Sequence, residues 1–147
     1  MHSRPKILIV LLRLSLGWMF LYSGITKILD AEWTSKGFLE NAQTFSGFFD
    51  WLAQPQNLQW VDMANAWGQA LIGAGLMLGV FTTLSAAAGV LLMFLYYLPG
   101  LDFPFVEHSI LVDEHVIYSL SLLLLIRLRA GRDYSIGSLF SRRTPYT

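Results

Sequence analysis

The chain has 147 residues, of which 54% are Ala, Val, Ile, Leu, Met, Phe, Trp, Tyr or Cys and only 14% are charged, against about 25% charged in ordinary soluble domains. That length fits one domain, residues 1–147, but so few charges make a poor polar coat, so the composition asks for lipid as solvent. Ten Lys and Arg balance ten Asp and Glu, which leaves no basic excess to attract nucleic acid. The absence of Cys excludes disulfide exchange, thiolate metal sites and Cys-ligated iron–sulfur clusters.

The first predicted span covers residues 6–29. Arg4 and Lys6 precede it in the manner of a signal peptide, but the apolar run exceeds the ~7–15 residues of a signal core and no small-x-small site follows, so the helix is expected to be retained. Within it Arg13, Gly17, Phe20, Gly24 and Lys27 fall on one helical stripe. The two glycines allow a neighbouring helix to come close, which turns the stripe toward other helices rather than lipid. Lys27 sits near the outer end. Arg13 lies deeper, where snorkelling to the cytoplasmic headgroups competes with a ligand-binding role.

Between the first two spans, Phe38, Ala42, Phe45, Phe49 and Leu52 repeat at helical spacing, predicting an amphipathic helix over residues 38–52. Without a Lys/Arg-rich face it belongs to the outer leaflet or the mouth of the bundle, as an anchor or as a lid. Trp33, Trp51 and Trp60 then lie at interface depth.

Residues 63–101 contain no Asp, Glu, Lys or Arg, close to twice the ~20 residues that one membrane helix needs. The stretch therefore holds two spans, 63–79 and 83–99. Asp62 is the expected N-cap of the first, with the turn at Gly79 to Thr83, where Gly79 suits a C-cap and either Thr an N-cap. Asn65, Trp67 and Gln69 occupy the outer third of the second span. An amide as deep as Gln69 needs a partner helix or a ligand. Gly68, Gly75, Gly79, Ala88 and Gly89 read as close-packing positions, and Tyr96 and Tyr97 as outer aromatic belt.

The fourth span, 111–128, opens on Asp113, Glu114 and His115. Consecutive helical residues splay apart, so the three cannot share a partner. At least one is expected to meet Lys27. Glu114 with Tyr118 makes the better inward pair, while Asp113 can instead cap the helix and complement its dipole; His115 can donate to a ligand or relay a proton. A basic tail covers 129–147.

The basic residues Arg4, Lys6, Arg127, Arg129, Arg132, Arg142 and Arg143 lie at the two ends of the chain, and the acids Asp30, Glu32, Glu40, Asp50, Asp62, Asp102 and Glu107 lie in the other two connections. The positive-inside rule puts both termini in the cytoplasm. The expected fold is an all-α membrane protein, a bundle of four transmembrane helices, multi-pass in a prokaryotic plasma (inner) membrane or one derived from it. Lys27, Trp67, Gln69, Glu114, His115 and Tyr118 then cluster at one depth, opening outward.

The run Arg13-x-x-x-Gly17-x-x-Phe20-x-x-x-Gly24-x-x-Lys27 resembles the opening signature of the DoxX/DoxD family. Residues 73–82, Gly-Ala-Gly-Leu-Met-Leu-Gly-Val-Phe-Thr, resemble its second-helix block, and Ala130 to Ile136 its short basic extension. Thr83 stands where relatives often carry a base and Gln69 where they often carry an acid. The resemblance implies a membrane subunit of the kind found in thiosulfate:quinone oxidoreductase. With no Cys and with His2, His108 and His115 dispersed, neither metal nor haem is expected. The chain can instead offer an amphipathic pocket for a quinone or a thiosulfate-like anion. In that pocket Lys27, Glu114 and His115 are the candidate catalytic groups, and Arg13, Trp67, Gln69, Asp113 and Tyr118 the candidate ligand-binding groups. The competing reading is a non-catalytic accessory subunit of a larger respiratory or photosynthetic membrane complex, with Lys27 and a carboxylate as a structural ion pair. A small transporter fits less well, because no broken helix or internal repeat is evident. Partner membrane-protein subunits are expected in either of the first two readings.

Overall fold

A computed structural model describes residues 4–106 and 109–130, with side chains from residue 6. The tail from Gly131 onward, with Arg132, Arg142 and Arg143, lies outside the described residues, as do Glu107, His2 and His108.

The chain is mostly helical. Helix α1 (Arg4–Leu29) is followed by two short helices, α2 (Lys36–Glu40) and α3 (Ser46–Leu52), then α4 (Pro55–Leu78) and α5 (Thr82–Tyr97). Three two-residue strands, β1 (Leu101–Asp102), β2 (Phe105–Val106) and β3 (Ser109–Ile110), precede α6 (Glu114–Arg127). Two helical stretches, Lys6–Leu29 and Thr82–Gly100, are long and apolar enough to cross a membrane.

The α1–α4 seam is built on missing side chains. A Cβ on Gly24 would lie 2.3 Å from the Ala70 nitrogen, and one on Gly73 would lie 2.2 Å from the Leu21 nitrogen. Backbones that close gain dispersion contacts that bulkier residues would forbid. The stripe of Arg13, Gly17, Phe20 and Gly24 is buried against this seam. Gly68, by contrast, has open space where its Cβ would stand, so its reading as a packing position is corrected. Leu16, Phe20, Ile72, Leu76, Leu122 and Leu125 form the centre of the main core, which joins α1, α4 and α6.

Element boundaries depart from the predicted ones where local capping decides. Helix α4 begins eight residues before the predicted span, with Pro55 in its first turn, a place where the missing N–H costs nothing. Asp62 is therefore inside the helix and no cap. Its carboxylate accepts hydrogen bonds from the backbone N–H and the hydroxyl of Ser35, tying the α1–α2 connection to α4. Gly79 ends α4 at φ 70°, the left-handed C-cap anticipated from its lack of a Cβ. Neither Thr caps α5; Phe81 takes the N-cap at φ 52°, and Thr82 is buried as the first helical residue.

The amphipathic segment is two helices rather than one. Its predicted periodicity breaks at Phe45, which adopts φ 54° and is exposed. Ala42 and Phe49 point inward as expected, with Leu39 and Ala53 beside them, and they pack on Leu58, Val61 and Leu98. Gln43 N–H donates to the Pro99 carbonyl at 2.9 Å, and the Thr44 hydroxyl donates to the Leu101 carbonyl. The α2–α3 pair is thus folded across the ends of α4 and α5. The strands pair antiparallel in the order β1-β2-β3, with Leu101 opposite Val106 and Phe105 opposite Ile110. Runs this short carry no readable alternation, so no strand is legible there from residue pattern.

Candidate functional site

Two pairs of polar side chains, each four residues apart, meet where α1 crosses α4: Ser23 and Lys27 on α1, Asn65 and Gln69 on α4. Residues at that spacing share a helix face, so each pair stacks along the crossing. Tyr96 enters from α5 and bonds to three of the four.

The network has one consistent set of directions. Lys27 Nζ donates to Asn65 Oδ1 and to Tyr96 Oη, both at 3.0 Å. The Tyr96 hydroxyl donates to Asn65 Oδ1 at 2.7 Å. Gln69 Nε2 donates to Tyr96 Oη at 2.8 Å, and Gln69 Oε1 accepts from the Ser23 hydroxyl at 2.8 Å. Gln69, only 3% exposed, therefore has partners at both ends of its amide. Lys27 Nζ also lies 4.7 Å from the centre of the Trp33 ring and 5.4 Å from that of Tyr96, distances at which an aromatic face attracts a cation. Among the described residues no carboxylate pairs with Lys27. Its positive charge is held by neutral oxygens and ring faces.

A cavity of about 330 Å³ adjoins this network. Phe38, Leu39, Phe49 and Leu52 wall it on the α2–α3 side, and Val61, Ala64 and Leu92 on the α4–α5 side. Its polar end is made by Asn65 and Tyr96, the two residues that bind Lys27. Phe38 meets the Tyr96 ring edge-on, with centroids 5.6 Å apart.

The consecutive residues at the start of α6 separate as their angular spacing demands, with the opposite outcome to the one expected. Asp113 is buried and Glu114 exposed. Asp113 caps the helix by accepting from Val116 N–H at 3.2 Å, and its second oxygen lies 2.6 Å from His115 Nδ1. Helix capping claims the buried carboxylate, so no member of the trio meets Lys27, contrary to expectation. His115 still reaches the network, its ring edge-on to Tyr96 with centroids 6.0 Å apart.

Three other predicted site residues lie elsewhere. Trp67 is 53% exposed, two residues along α4 from Asn65 and hence on another face. Tyr118 packs, half-buried, against the main core. Arg13 is 1% exposed and donates from Nη1 to the Ala130 carbonyl at 3.0 Å, about 21 Å of helix rise from Lys27. It is buried in the N-terminal half of α1 and does not line the cavity. Conversely, Tyr96 belongs to the network rather than to the expected aromatic belt, and Ser23, which the sequence reading does not single out, joins it. The i,i+4 spacing of Ser23 to Lys27 and of Asn65 to Gln69 is the signal in the sequence that marks them.

The DoxX family matches the chain over residues 8–98. The chain belongs to the DoxX family. No curated protein and no solved structure matches it. The family match runs from α1 to the end of α5 and so contains Ser23, Lys27, Asn65, Gln69 and Tyr96, the entire hydrogen-bonded network of this DoxX membrane protein. Helix α6, with Asp113, His115 and Tyr118, follows the matched region.

Proposed function

We propose that this DoxX protein binds a quinone in the cavity beneath α2–α3 and takes part in quinone-linked oxidoreduction of the thiosulfate type. The observation that carries the reading is an apolar cavity with Asn65 and Tyr96 at one end, backed by a lysine whose partners among the described residues are neutral. A quinone is a flat apolar ring bearing carbonyl acceptors, and a site of this size and lining suits it. A small hydrated anion would exchange its water for aromatic and aliphatic walls at a large desolvation cost, so the quinone is favoured over the anion here. The absence of Cys and the three scattered His leave the electrons to come from a second substrate or a partner subunit.

In the same proposal α1, α4, α5 and α6 all span a prokaryotic inner membrane, with both termini cytoplasmic and the Lys27 end facing outward. The α2–α3 pair is a lid over the cavity, and a lipid-soluble ligand reaches it from the outer leaflet. The reading as an accessory subunit expects a closed bundle with Lys27 in an ion pair. The neutral partners of Lys27 and the adjoining cavity support the ligand-binding reading instead.

Gentle detergent extraction from the native membrane, followed by native mass spectrometry, tests this. Recovery of the chain with a bound quinone, lost in Lys27→Ala, is the expected result. Stoichiometric recovery with haem, chlorophyll or flavin subunits and no ligand of its own would establish the accessory reading in its place.

A further inference from the structure

We infer that Asn65 is the specificity-determining residue of the cavity, and that its side-chain N–H₂ group selects the oxidised, carbonyl-bearing form of the ligand over the reduced, hydroxyl-bearing form. The inference rests on the proposed quinone reading and assigns the recognition of redox state to one amide.

The argument is a census of hydrogen-bonding capacity at the cavity wall. Four lining side chains carry a polar hydrogen: Ser35, Trp60, Asn65 and Tyr96. The Ser35 hydroxyl donates to Asp62. The Tyr96 hydroxyl donates to Asn65 Oδ1. The Trp60 indole N–H is directed at Asn57 Oδ1, 3.5 Å away. Asn65 Oδ1 accepts from both Lys27 and Tyr96, which fills its two lone pairs and fixes the amide orientation, since Nδ2 cannot accept either bond. Among the described residues Nδ2 has no partner. The amide hydrogens of Asn65 are what this wall has left to offer a ligand.

The same census disfavours a hydroxyl. Tyr96 Oη already accepts from Lys27 and Gln69 while donating to Asn65, so both oxygens at the polar end are saturated. A quinone carbonyl needs a donor and meets one in Asn65. A quinol O–H placed against Asn65 and Tyr96 finds neither oxygen free to accept, which leaves the Ser35 hydroxyl oxygen as the acceptor on this wall, and a buried donor that does not reach it is costly. Sites built to match one hydrogen-bonding pattern reject its complement for this reason. Lys27 does not line the cavity; it is a positioning residue that holds the Asn65 oxygen and so aims the amide.

The test is anaerobic titration calorimetry of the purified full-length chain in detergent, with a decyl-substituted benzoquinone and its quinol, for the natural protein and for Asn65→Asp. Aspartate keeps an oxygen for Lys27 and Tyr96, removes the N–H₂ group, and puts a second acceptor in its place. The natural protein should bind the quinone about tenfold or more tightly than the quinol. Asn65→Asp should lose about tenfold in quinone affinity and reverse the preference. Equal binding of both forms by the natural protein overturns the inference, and so does an unchanged preference in Asn65→Asp. Both results leave quinone binding standing. No binding of either form overturns the quinone reading together with the inference. Should Asn65→Asp fail to fold, the preference of the natural protein decides alone.

Discussion

Helix α1 carries a cation toward each end of one stripe, and the two are held in different ways. Arg13 is enclosed completely and reaches a backbone carbonyl, that of Ala130 just past α6. Lys27 is half-buried and reaches side chains, Asn65 and Tyr96, that themselves line a cavity. Through the Ala130 carbonyl Arg13 fastens α1 to the segment that follows α6. A cation bound to side chains at a cavity wall instead sets which atoms that wall presents. The same residue class at the same helical angle thus gives a structural clamp at one end and a tuned polar surface at the other.

The comparison collapses if α1 and α4 are forced apart. Gly24→Ala places a methyl 2.3 Å from the Ala70 nitrogen, and neither backbone can yield without moving its helix. The expected outcome is the largest of this set: no monodisperse folded protein by size-exclusion chromatography in detergent. Gly68→Ala, with open space at its Cβ, should leave the elution profile unchanged and slightly raise thermal stability through better helix propensity.

Arg13→Met attacks the clamp alone. Loss of a charged, buried hydrogen bond should cost about 2–3 kcal/mol, seen as a lower melting temperature, while quinone affinity measured below that temperature stays the same. An equal loss of affinity would mean that the two ends of α1 are coupled. Tyr96→Phe attacks the other end. It removes the acceptor for Lys27 and Gln69 and should weaken quinone binding about tenfold, with a smaller effect on melting than Arg13→Met. The smallest effects are expected of Glu114→Gln and Trp67→Phe. Both residues are exposed, and binding should stay within about twofold of the natural protein, about 0.4 kcal/mol or less. A larger change in either would place the ligand on the outer surface of α4 or α6 instead.

Much of this was legible along the chain. The apolar runs, the α1 stripe and the C-cap at Gly79 follow from residue type and period. The spacing of polar residues within one helix, Ser23 from Lys27 and Asn65 from Gln69, follows from residue number at a fixed rise per residue. The α2–α3 break and the early start of α4 were hidden, because a continuous periodicity does not report Phe45 in a left-handed conformation or Pro55 in a first turn. The short strands were hidden for want of length.

The site divides in the same way. Sequence by itself determined that this is a membrane protein with the marks of the DoxX family, and which polar residues fall in which helix. Only the tertiary structure decided which of them meet. Rotation about a helix axis changes by about 100° per residue, so Asp113 and Glu114, or Tyr96 and Tyr97, are equivalent in depth and opposite in fate. The angle is set by how closely α1 and α4 approach at Gly24 and Gly73. It is set also by capping at Asp113, and no one-dimensional pattern carries either contact.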